Sequence, residues 1–124
     1  MFSAWLTFIL GEEMAKEIGV LAGKASKDLE LLKRHVMMLQ FVTDNEPIGI
    51  IKLSELMELP QHKVRYSLRL LEKDGLIKAS TVGAKTTRKV EKFLEDLREH
   101  LGEMNASVKD VQKGVDKLRK TLEK

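Results

Sequence analysis

Val90, Leu94, Leu97, Leu101, Met104, Val108, Val111, Val115, Leu118 and Leu122 follow one another at spacings of 4, 3, 4, 3, 4, 3, 4, 3 and 4 residues. Side chains three and four apart share one side of a helix, so this is an uninterrupted heptad seam. As one helix the segment reaches about 50 Å, and an apolar stripe of that length is not left in water. The seam therefore requires a second helix, and pairing with a second copy of the chain is expected in preference to packing against its own N-terminal helices. A competing local signal exists. Gly102 is a candidate stop, and Ser107 with Asp110 three residues on is a candidate cap, which together would fold the rod into a helical hairpin. The unbroken phase favours one helix. The flanking residues Asn105, Ser107, Gln112, Gly114 and Thr121 are small or uncharged and leave the direction of the partner open.

Upstream, Met14, Ile18, Leu21, Ala25, Leu29, Leu32, Val36 and Leu39 also step by three or four residues. Gly19 and Gly23 weaken that pattern, and Ser26 or Asp28 could cap a fresh helix, so a break is expected near residue 26, with a helix from 28 to 42 after it. In the opening MFSAWLTFIL, Phe2, Trp5, Leu6, Ile9 and Leu10 form one helical face. Without a basic leader and with about half the length of a membrane span, it is expected to be a packing face rather than a signal or anchor. A cytoplasmic protein without membrane contact is expected. The 124-residue chain has no cysteine, which excludes disulfides, thiolate nucleophiles and cysteine metal clusters.

Thr43, Asp44, Asn45, Glu46 and Pro47 end the helical run. Ile50, Leu53, Leu56 and Met57 then predict a short helix with one buried face, closed by Pro60. A second helix is expected from Gln61 to the Lys-Asp-Gly-Leu stop, with Gly75 left-handed and Leu76 folding back on Leu71. Around its axis Val64, Leu68 and Leu71 face inward, while His62, Arg65, Tyr66, Arg69 and Lys73 lie opposite. After the stop, LIKASTVGAKTT predicts a brief hairpin turning at Val82 and Gly83. Residues 60 to 89 hold eight Lys and Arg against Glu72 and Asp74, a local excess of +6 within a chain whose net charge is +3. A solvated face more often mixes both signs, so a polyanion is the expected partner.

Helix, short helix, tight turn, helix with a cationic outer face and two-stranded hairpin is the order of a winged helix-turn-helix. The stretch IKLSELMELPQHKVRYSLRLLEKDGLIKASTVGAKTT resembles the small winged-helix transcriptional regulators of the MarR and ArsR sort, in particular their archaeal members. The marks are the LSELMELP-x-HKV core, the LLEKDGLI helix end and the GAKTT wing end, and the resemblance covers roughly residues 28 to 90. It implies that Gln61, His62, Arg65 and Tyr66 approach base edges while Lys63 and Arg69 lie nearer the phosphates. Arginine can grip guanine, and glutamine adenine, with two hydrogen bonds each. Lys78, Lys85, Arg88 and Lys89 would hold the wing on the backbone without reading sequence.

Each of these residues has a plainer reading. His62 on a polar helix face is expected to be solvated or phosphate-facing rather than a metal ligand, since His35 and His100 lie on distant segments. Met37, Met38 and Met57 read as core filler, and Tyr66 as packing or a base contact. No nucleophile with a base, phosphate-cradling glycine loop or paired carboxylates stand out, so neither catalysis nor a cofactor is expected. The expectation is a mainly α chain in three parts: N-terminal helices (1 to 26), a winged-helix domain with a three-helix core and short two-stranded wing (27 to 89), and a C-terminal coiled-coil dimerisation helix (90 to 124). Its expected function is that of a homodimeric, sequence-specific regulator of transcription that binds double-stranded DNA. The alternatives are a winged-helix protein-docking module and a non-specific chromatin-type or RNA binder.

Overall fold

The computed structural model describes residues 19 to 123. The faces formed by Phe2, Trp5, Leu6, Ile9, Leu10, Met14 and Ile18 lie outside the described residues. The chain divides into two compact units, separated between Thr87 and Arg88.

In the first unit, α1 spans Gly19–Asn45 without interruption. The break expected near residue 26 is absent: Ser26 and Asp28 are interior helical positions. An interior glycine costs only about 1 kcal/mol, and Gly23 alone does not offset the loss of a continuous hydrogen-bond ladder. Helix α1 runs past the expected end at residue 42 and stops at Asn45, within the polar run before Pro47; Thr43 Oγ1 donates back to Leu39 O (2.6 Å) and Asn45 Nδ2 to Phe41 O (2.8 Å), carbonyls of the preceding turn.

Helix α2, Ile50–Met57, buries Leu53 and Met57, whereas Leu56 stays 39% exposed at the edge of the face expected for it. The helix closes on Glu58, a non-glycine residue at φ 53°, and Leu59 N–H donates back to Ser54 O at 3.2 Å. Pro60 then starts α3, Gln61–Lys73, from the cap position, where its carbonyl accepts from Lys63 and Val64 N–H at 3.1 and 3.2 Å. At the other end Gly75 takes φ 77°, its N–H bonds Glu72 O at 2.9 Å, and Leu76 N–H bonds Leu71 O at 2.9 Å. This is the expected left-handed stop, with Leu71 and Leu76 both buried. Met38, Leu39 and Val42 of α1, Leu53 and Met57 of α2, and Val64 and Leu71 of α3 form the core.

Strands β1 (Ile77–Ser80) and β2 (Gly83–Thr86) pair antiparallel in the register Ile77 to Thr86 through Ser80 to Gly83. The turn therefore lies at Thr81 and Val82, not at Val82 and Gly83. Gly83 is a strand residue for a different reason: at φ +132°, a Cβ there would stand 2.6 Å from the Ile48 carbonyl carbon. Ile48 lies against β2 as an isolated bridge, exchanging hydrogen bonds of 3.2 and 2.7 Å with Ala84.

The second unit holds α4, Lys89–Leu122, a single 34-residue helix that runs through Gly102, Asn105 and Ser107. None of its residues is buried. Among the described residues, no helix is long and apolar enough to cross a membrane.

Candidate nucleic-acid interface

The position of α3 is set by what it buries. Val64, Ser67 and Leu71 are its buried residues, and Leu68 is only half-buried. Ser67 was not anticipated as an inward residue, yet it joins α3 to α1. Arg34 Nε–H donates to Ser67 Oγ at 3.0 Å, and His35 Nδ1 lies 3.0 Å from the same oxygen. Since arginine can only donate, the Ser67 hydroxyl accepts from it, and its remaining lone pair and its own proton are both open to the Nδ1 of His35. Burial, followed by the charge of Arg34, holds the His35 pKa below its ordinary value, with Asp74 opposing. The signal in the sequence was slight: a serine three residues from Val64 and four from Leu71 shares their side of the helix.

This fixes what α3 turns outward. Gln61, His62, Arg65 and Arg69 are exposed, and Lys63 is half-buried. Tyr66 is 43% exposed; its ring meets His35 edge-on (centroids 6.3 Å apart, 79° between planes) and lies under Arg34 at 5.9 Å. Packing is thus a demonstrated role of Tyr66, with part of the ring still presented to solvent. His62, Arg65, Tyr66 and Arg69 border a shallow concavity of about 430 Å³ on the outer face of α3. On their other side, Arg65 and Arg69 border a groove of about 530 Å³ between α3 and the hairpin, whose lining includes Ile48, Leu68 and Ala84 and also the acid Glu72. The two guanidiniums stand on the ridge between the hollows. Neither pairs with a carboxylate among the described residues.

The hairpin lysines are placed differently from the single cationic rim that the local charge suggested. Lys78 and Lys85 are direct cross-strand partners, and the two-residue period puts them on the face opposite Ile77 and Ala84. They stand on the outer side of the hairpin, not in the groove beside Arg65 and Arg69. Two like charges directly opposed across strands disfavour the fold; neither makes a close ion pair among the described residues, but Lys85 is attracted by the nearby Glu46 carboxylate. Arg88 and Lys89 are not part of the hairpin: Arg88 caps α4 and Lys89 is its first residue. A carboxylate also braces the hairpin. Glu46 Oε2 accepts from the Thr86 N–H at 2.7 Å and its hydroxyl at 2.8 Å, which holds the Glu46 pKa below the usual carboxylate value.

His35, His62 and His100 lie on α1, α3 and α4, and among the described residues no group of three or more His, Asp or Glu is placed to hold a metal ion. Comparison with protein-family models gives no match, and comparison with curated proteins gives none.

Proposed function

We propose that this chain is a sequence-specific, double-stranded DNA-binding regulator of transcription, acting as a homodimer and built on a winged helix-turn-helix. The observation that carries this reading is α3 itself. Anchored from behind through Ser67, it presents Gln61, His62, Arg65, Tyr66 and Arg69 on one side with no acid among them. A helix fits the major groove, and the unpaired guanidinium of Arg65 there has the donor geometry to read guanine O6 and N7. Helix α2 precedes α3 through the tight turn at Glu58, and the short hairpin with Ile48 follows, which supports the winged arrangement. On its outer face Lys78 and Lys85 would meet phosphate, as would Lys63, Arg69, Arg88 and Lys89.

The test is selection of duplexes from a random pool, followed by two substitutions. Arg65→Ala should weaken binding to the selected site by about 1–3 kcal/mol and relax base preference, whereas Lys85→Ala should weaken all duplexes alike. Equal losses on every sequence from both substitutions would show that α3 does not read bases. Retention of RNA in preference to duplex would favour a different nucleic acid.

A further inference from the structure

Helix α4 exposes a continuous apolar stripe: Leu94, Leu101, Met104, Val108, Val111, Val115, Leu118 and Leu122 are all exposed. The residues along that stripe are unevenly sized. After Val90, the large residues Leu94, Leu97, Leu101 and Met104 run together, and the small residues Val108, Val111 and Val115 follow before Leu118 and Leu122. We infer that two copies of α4 pair antiparallel, centred on Ala106, and that this direction is written into the size and charge of the seam. The inference rests on the self-association proposed above and is independent of DNA binding.

Consider the two directions. In a parallel pair each seam residue faces its own copy, which stacks four Leu or Met layers from Leu94 to Met104 directly on three thin valine layers from Val108 to Val115, with two leucine layers beyond them. In an antiparallel pair centred on Ala106, Leu97 meets Val115, Leu101 meets Val111, Met104 meets Val108 and Val90 meets Leu122 of the second copy. Large faces small in four of the five distinct layers, and only Leu94 against Leu118 joins two leucines. Facing positions that alternate in size interdigitate at nearly constant width, which is how cores reach native density.

The flanks agree with the layers. In the antiparallel register Glu91 faces Arg119 of the second copy, twice by symmetry, while Arg98 faces Gln112; in the parallel register Arg98 faces Phe93 and Arg119 faces Gly114, so only the antiparallel pair gives Arg119 an acid. Phe93 faces Thr121, and His100 faces Gly114. A Cβ added at Gly114 would meet nothing within 4 Å, so the helix itself has no need of a glycine there. Glycine weakens a helix interior, and space for the histidine of a second copy gives it a reason. At the two-fold centre Asn105 and Ser107 meet their own copies without charge repulsion.

The chain has no cysteine, so single labelling sites are introduced cleanly. Lys92 and Ala106 both lie on the side of α4 away from the seam. Spin labels on Lys92→Cys should lie about 42 Å apart along the axis of an antiparallel pair, against about 20 Å across a parallel one. Labels on Ala106→Cys should be about 20 Å apart in either direction and report pairing itself. A long Lys92 distance with a short Ala106 distance is expected. Short distances at both sites would overturn the direction while leaving self-association standing, and no intermolecular coupling at Ala106 would overturn pairing altogether. Duplex titration of the same labelled samples reports separately on DNA binding. As a second readout, Arg119→Glu should weaken self-association roughly 3- to 30-fold, with Glu91→Arg restoring it in the double variant. Failure of the double variant to recover would contradict the register.

Discussion

Removing the Ser67 hydroxyl would take one contact from each of two groups that α1 brings to it. Ser67→Ala removes a buried contact of Arg34 Nε and a half-buried one of His35 Nδ1, so unfolding in urea should show a loss of about 1 kcal/mol. An unchanged midpoint would mean that the contact does not hold α3. His35 adds a pH dependence with a definite sign. Its folded pKa lies below the unfolded value of 6.5, so the unfolded chain binds the proton first. The stability present at neutral pH should therefore fall as pH drops below about 6.5, and that component should vanish in His35→Gln. A pH profile unchanged by the substitution would remove His35 as its source. At Gly83 the conflict is steric: Gly83→Ala should cost on the order of 3 kcal/mol, from a left-handed backbone and the approach of Ile48. A loss below about 1 kcal/mol would show that the Ile48 bridge yields readily.

The helices and their ends were legible where a side chain acts on its own neighbours. The Gly75 stop, the Pro60 start and the heptad seam are all local in sequence, and the structure has the first two and a continuous helix under the third. What escaped were consequences of contact between distant segments. Gly83 reads as a turn residue until Ile48 is laid against it, and Ser67 reads as neutral until Arg34 and His35 arrive. The hairpin lysines were legible as charge but not as a face, because the strand register decides which side they take. Gly23, Ser26 and Asp28 imitated a helix break that the continuous ladder of α1 overrides, whereas Gly19, at φ 83°, is the first residue of that helix. Gly102 offers a direct check on α4. Its φ is not positive and an added Cβ meets nothing within 4 Å, so Gly102→Ala should raise helix content and stability by about 0.5–1 kcal/mol. Destabilisation would instead indicate a turn at that position.

At the scale of the whole molecule, charge and symmetry meet. An excess of +6 over residues 60 to 89, in a chain of net charge +3, leaves the rest of the sequence net acidic. Such a division favours one oriented encounter with a polyanion over diffuse attraction. Self-association through α4 would give each assembly two reading helices, and the direction of pairing sets how far apart the two attachment points at Lys89 lie. The central claim is that the cations of this segment engage nucleic-acid phosphate. Its most direct test is the affinity of the purified chain for its selected duplex as salt rises from about 50 to 200 mM. With six or more phosphate contacts the account predicts a loss of about 10³-fold or greater and a linear log–log slope, whereas affinity indifferent to salt, or no binding at the lowest salt, would contradict it.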